Sequence, residues 1–193
     1  MNTLVIGNVH PPQLITGYIS YLNPIVSLTP DYAYHCIGHY RCFTGHTNAL
    51  TAYMTDETAL VFEDDAVPDS RHDWKRSIEA ANALVLEERF EIVCLHGRGF
   101  DYQKFRKMEA HGFSWLIPTT EDRWVLGTLC YVISRKAAEK WIKEDFWLHG
   151  TNIDLFVWSN RFNFCMIDPT PFIHDRSQGS ILENPKNTEV VVR

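Results

Sequence analysis

Three carboxylates, Glu63, Asp64 and Asp65, follow directly on the apolar run Ala59-Leu60-Val61-Phe62. Such a run reads as a buried strand, so the acids sit at its lip, partly desolvated and repelling one another. Unpaired charges there cost several kcal/mol or are neutralised by a raised pKa. A solvated loop whose carboxylates cap the next helix is the plain interpretation. A divalent cation relieves the repulsion more completely, because hard oxygen ligands suit Mg²⁺ or Mn²⁺. Coordination positions left open on such an ion accept phosphate oxygens, as in enzymes that handle nucleotides. On these residues alone, a sugar transferase is not separated from a metal-dependent nuclease or phosphohydrolase.

The elements that position these acids alternate between strand-like and helix-like periods. "NTLVIGN", "ALVFEDD", "EIVCLHG", "VLGTLCYVIS" and "FNFCMID" read as strands. Between them, "LITGYISYL" and "TGHTNALTAYM" carry helical spacing. A helix from about Asp73 buries Trp74, Ile78, Ala81, Leu84 and Val85, with Ser70 or Asp73 as its cap. Ser134 caps "RKAAEKWIKE", and Thr151 caps a helix bearing Ile153, Phe156 and Val157. The alternation predicts an α/β domain spanning residues 1–193, its mostly parallel central sheet flanked by helices, with residues 169–193 a C-terminal tail closing the site. Ligands of such sheets bind beyond the carboxyl ends of the strands. Asn8, the acidic triplet and His96-Gly97-Arg98 all fall there.

The chain has 193 residues, a net charge of −6 and 45% hydrophobic content, which disfavours a surface coated throughout in nucleic acid or anionic lipid. Five cysteines without CxxC spacing read as buried thiols of a reducing compartment rather than a zinc site. No apolar run reaches bilayer length and no signal peptide precedes "TLVIGN", so a cytoplasmic location is expected, in a bacterial, viral or phage-infected cell.

The stretch "YRCFTGHTNALTAYMTDETALVFEDDAVPD" resembles the central motif of glycosyltransferase family 25, which includes lipooligosaccharide and collagen galactosyltransferases. Cys42, His46, Glu63, Asp64 and Asp65 fall at matching positions, with Gly45 where the family has Ser. "VLGTLCYVISRKAAEKWI", "TNIDLFVW" and "PTPFIHDRSQGSIL" are similar to later blocks, in the same order. At the N-terminus "GNVHPPQ" departs from the family's N-L-x-R-x-x-R pattern. The resemblance implies a GT-A, Rossmann-like fold that binds a nucleotide sugar, with a UDP-sugar as expected donor, and Mn²⁺ or Mg²⁺, and that transfers the sugar with inversion. It implies Asp65 as metal ligand, with His174 as a second. Glu63 and Asp64 would contact ribose or sugar hydroxyls, with Asn8, Arg41 and His46 also on the donor side. Asp154 is the expected base, kept ionised near a helix start.

From Arg98 to Trp124, cations interleave with aromatics: Lys104, Arg106 and Lys107 lie among Phe100, Tyr102, Phe105 and Trp115. An irregular insertion packed on its own aromatics is one reading. The other is an acceptor surface using Arg98, Lys104, Arg106 and Trp124, for a glycan such as a phosphorylated one or for a hydroxymethylated base in DNA. A sugar-binding domain without activity is a further class, which donor turnover separates from the enzyme.

Overall fold

The fold follows from short apolar runs that are buried on both sides. In the computed structural model, residues 1–6, 20–22, 43, 45–51, 54–63, 65–98, 100–119, 127–143, 153–157 and 161–174 are described. The strands are β1 (Asn2–Ile6), β2 (Ser20–Leu22), β3 (Thr58–Glu63), β4 (Ala66–Pro68), β5 (Ile92–Cys94), β6 (Phe105–Ala110), β7 (Phe113–Pro118), β8 (Cys130–Ser134), β9 (Phe164–Asp168) and β10 (Phe172–His174). The helices are α1 (Trp74–Leu86), α2 (Arg135–Ile142) and α3 (Ile153–Val157), and residues 45–51 are also helical.

Eight strands form one mixed sheet in the order β2-β1-β3-β8-β5-β9-β7-β6. Pairs β1–β2, β1–β3 and β5–β9 are parallel, whereas β8 and β7 oppose their neighbours. Six strands therefore point one way and two point back. The α/β expectation holds in this mixed form. Ser20–Leu22 departs from the helix expected over "LITGYISYL": it is a strand registered on β1, with Leu4 opposite Ser20. A short apolar run satisfies either period, and pairing with β1 decides it.

The strand period of two divides the core between the two faces of the sheet. Ala59 and Val61 of β3 pack with α2, α3, Phe43 and Leu50, whereas Leu60 and Phe62 pack with α1 and Phe172. Both central faces are covered, which explains why β3, β5 and β8 read as continuous apolar runs. Asp73 caps α1 by accepting from the Arg76 amide at 3.2 Å, and Ser134 caps α2 through the Ala137 amide at 3.1 Å. Among the described residues, no helix is long and apolar enough to cross a membrane.

Within the basic, aromatic stretch, Phe105–Ala110 and Phe113–Pro118 form a β6–β7 hairpin on the sheet edge rather than an irregular insertion. Its two-residue turn, His111-Gly112, has φ of 52° and 79°, the positive pair that a tight hairpin needs.

Candidate active site

The carboxyl end of β3 places Glu63 at the rim of the sheet, and the chain then turns through Asp65 into β4. β4 pairs antiparallel with β10, setting Ala66 opposite His174. Phe172 anchors β10: it is fully buried, edge-on to Phe62 and Trp74 at centroid distances of 5.2 and 6.1 Å. The Asp69 amide adds a hydrogen bond to the Pro171 carbonyl at 2.9 Å. Through this small ribbon, His174 Nε2 meets Asp65 Oδ2, although 109 residues separate them in sequence. Each of these two side chains is about a quarter exposed.

Beneath Glu63 lies His46, wholly buried from solvent. Its ring lies nearly parallel to those of Tyr131 (5.7 Å) and Trp141 (5.9 Å), each at an interplanar angle of 15°, and those two centroids are themselves 6.1 Å apart, so the three rings form one cluster. Nδ1 is 2.7 Å from the Tyr131 hydroxyl, and Nε2 is 3.4 Å from Glu63 Oε1. The latter contact is within ion-pair range but lacks hydrogen-bond geometry. Thr128 donates its hydroxyl to the same Glu63 oxygen at 2.5 Å, and the Glu63 amide bonds the Leu129 carbonyl at 2.8 Å. Burial pushes the Glu63 carboxyl up. The His46 ring, the Thr128 hydroxyl and the more distant His174 charge outweigh it and hold Glu63 below the ordinary carboxylate range.

His96, just past β5, completes the rim. Its Nδ1 donates to the Phe172 carbonyl at 2.9 Å, because a carbonyl oxygen only accepts. Burial lowers its pKa; Arg98 and His174 push the same way, against the pull of the Phe172 carbonyl and Glu63. Gly127 presses on this ring with φ of +107°, and a Cβ there would lie 2.7 Å from His96 Cδ2.

The structure thus brings together Glu63, Asp65, His174, His46 and His96. His46, expected on the donor side, is buried under Glu63 and reaches the rim only through that carboxylate. Asn8, Arg41, Asp64 and Trp124 lie outside the described residues, as does the Asp154 side chain, whose backbone is in α3. Arg98, Lys104, Arg106 and Lys107 do not make one basic face. Arg106 pairs in register with Ile117 and Lys107 with Leu116, so the two side chains leave opposite faces of β6. Lys107 Nζ is 3.2 Å from Asp168, which also accepts from the Tyr102 hydroxyl at 3.1 Å. Trp115 is core, with Nε1 on the Ala110 carbonyl, and Phe105 is buried.

Thr128, Tyr131 and Gly127 carried no signal of their own in the sequence, since their roles depend on antiparallel β8 lying beside β3. Cys94, Cys130 and Cys165 are buried thiols, and burial raises Cys130 and Cys165 well above the usual thiol range, which suits packing rather than nucleophilic work. Among the described residues, no three His, Cys, Asp or Glu side chains converge as a metal cluster.

No protein-family model and no curated protein sequence matches the chain. Solved structures similar to it include A197 from STIV, with TM-score 0.43 and 18% identity, covering 86% of this chain and 81% of that one. HddC from Yersinia pseudotuberculosis has TM-score 0.37 and 14% identity, covering 81% of this chain and 60% of that one. Neither likeness bears on what the chain does.

Proposed function

We propose that this chain is an inverting, divalent-metal-dependent glycosyltransferase that moves a sugar from a nucleotide-sugar donor to a hydroxyl acceptor. The observation that carries this proposal is the contact between Asp65 Oδ2 and His174 Nε2 at the rim where β3 ends. One carboxylate oxygen and one imidazole nitrogen, from side chains each about a quarter exposed, are a donor pair that fits Mn²⁺ and accommodates Mg²⁺ less well. Two protein ligands also leave room for diphosphate oxygens. Asp65 and His174 would hold the ion, and when bound it supplies positive charge that stabilises the leaving diphosphate.

The chain's own residues do the rest. Glu63, kept ionised beside them, accepts a hydroxyl of the donor and orients it. Asp154, matched to the family's Asp, takes the proton from the acceptor hydroxyl as that oxygen bonds the anomeric carbon.

Calorimetry of UDP binding with and without Mn²⁺ tests the proposal. Wild type should bind UDP only with the metal present, and Asp65→Ala and His174→Ala should each lose that binding. Equal affinity in wild type and both variants removes the metal assignment.

A further inference from the structure

His46 faces Glu63 with a ring nitrogen 3.4 Å from Oε1. A buried imidazole whose Nδ1 faces a tyrosine hydroxyl has two possible tautomers, and its surroundings choose between them. The Tyr131 hydroxyl lies 2.7 Å from Nδ1. The atom across the ring, Nε2, is buried and lies 3.4 Å from Glu63 Oε1. A carboxylate oxygen only accepts, so the consistent arrangement is Tyr131 O–H donating to Nδ1 and the ring proton on Nε2, on the Glu63 side. Tyr131 and Trp141 pack with the ring in one cluster of nearly parallel planes, and the Trp141 Nε1–H is itself tied to Thr47 Oγ1 at 3.0 Å. Full burial and the Tyr131 hydroxyl contact at Nδ1 set the ring's orientation.

Both donors on this carboxylate, Nε2–H and the Thr128 hydroxyl, approach Oε1. Oε2 is the oxygen left for a ligand, and the Glu63 side chain keeps 25% of its surface exposed.

We propose that His46 is a positioning residue: oriented by the Tyr131 hydroxyl and by burial, it keeps Nε2–H facing Glu63 Oε1 and so leaves Oε2 as the acceptor for a hydroxyl of the nucleotide-sugar donor. The ligand class rests on the glycosyltransferase reading; the arrangement of His46 does not. His46 never touches the donor and acts only through Glu63.

Two measurements test this. The first needs no ligand: ¹⁵N spectra of histidine-labelled protein, with His46 assigned by the loss of its signals in His46→Gln. Wild type should show an unprotonated Nδ1 and a protonated Nε2, and Tyr131→Phe, which keeps the ring stack, should shift the Nδ1 signal or release the other tautomer. A proton on Nδ1 in wild type overturns the proposal.

The second is a double-mutant cycle on UDP affinity in Mn²⁺. His46→Leu should weaken binding about threefold, the scale of a loose electrostatic contact, yet change nothing further in a Glu63→Gln background. His46→Gln, whose amide can still donate, should recover most of the loss. Should His46→Leu fail to fold, Tyr131→Phe takes its place in the cycle. Equal losses in both backgrounds reduce His46 to a packing role and overturn the proposal. Absence of any UDP binding by wild type, with the expected tautomer in the spectra, instead removes the nucleotide-sugar reading and leaves His46 as the support of Glu63 for another hydroxyl-bearing ligand.

Discussion

Gly127→Ala probes how closely the rim is built. At φ of +107° an L side chain is strained, and the added Cβ would stand 2.7 Å from His96 Cδ2 and 3.2 Å from Nε2. The backbone strain costs about 1–3 kcal/mol. Relief of the clash requires the imidazole to move, which breaks the Nδ1–Phe172 carbonyl bond and costs about 1 kcal/mol more. The sum is about 2–4 kcal/mol, and for a chain of this size each kcal/mol lowers Tm by about 2–4 °C. Thermal unfolding followed by circular dichroism should therefore show a drop of about 4–16 °C. In a His96→Ala background the ring contact is gone, so adding Gly127→Ala should cost only the backbone part, about 1–3 kcal/mol. A Gly127→Ala melt within about 1 °C of wild type would refute both the strain and the contact.

The neutral His96 ring makes stability depend on pH. Its folded pKa is depressed, so its contribution is complete above the unfolded value near 6.5 and is lost as pH falls through 6.5 toward the folded value. Tm should fall on that side, and His96→Asn, whose amide can still donate to Phe172, should flatten the fall; an equal slope in the variant contradicts this. Asp69 is held at about 2 by the Arg71 side chain and amide, so its contribution is complete above its ordinary 3.8 and disappears as pH drops toward 2. Arg71→Ala should raise the pH of acid unfolding, and an unmoved acid limb rejects the assignment. Asp154→Asn should slow transfer by about 10²-fold or more with donor affinity kept. A turnover near wild type moves the base to Glu63 or to Asp168.

Strands β3, β5, β8 and β9 were legible because each is buried on both faces, so its apolar run is nearly continuous. Helices α1 and α2 were legible from Asp73 and Ser134, whose side chains cap them as expected. The β6–β7 hairpin was not, because an edge strand keeps charges such as Arg106, Lys107 and Glu109 in water and so loses the apolar signal. Its His111-Gly112 turn was the available clue. Asp65 and His174 stood out in sequence as acid and imidazole, but only the β4–β10 register sets them in contact. His46 was visible as a motif residue. Its burial was not, since the Tyr131 and Trp141 that pack against it come from β8 and α2, far along the chain.

Donor turnover tests glycosyl transfer most directly. Purified protein is incubated with a panel of nucleotide sugars and Mn²⁺, and the products are resolved by mass spectrometry and phosphorus NMR. Metal-dependent transfer predicts release of a nucleoside diphosphate together with free or transferred sugar, abolished by chelation and by Asp65→Ala. Release of inorganic phosphate or of a nucleoside monophosphate and sugar phosphate, or turnover indifferent to chelator, would contradict it.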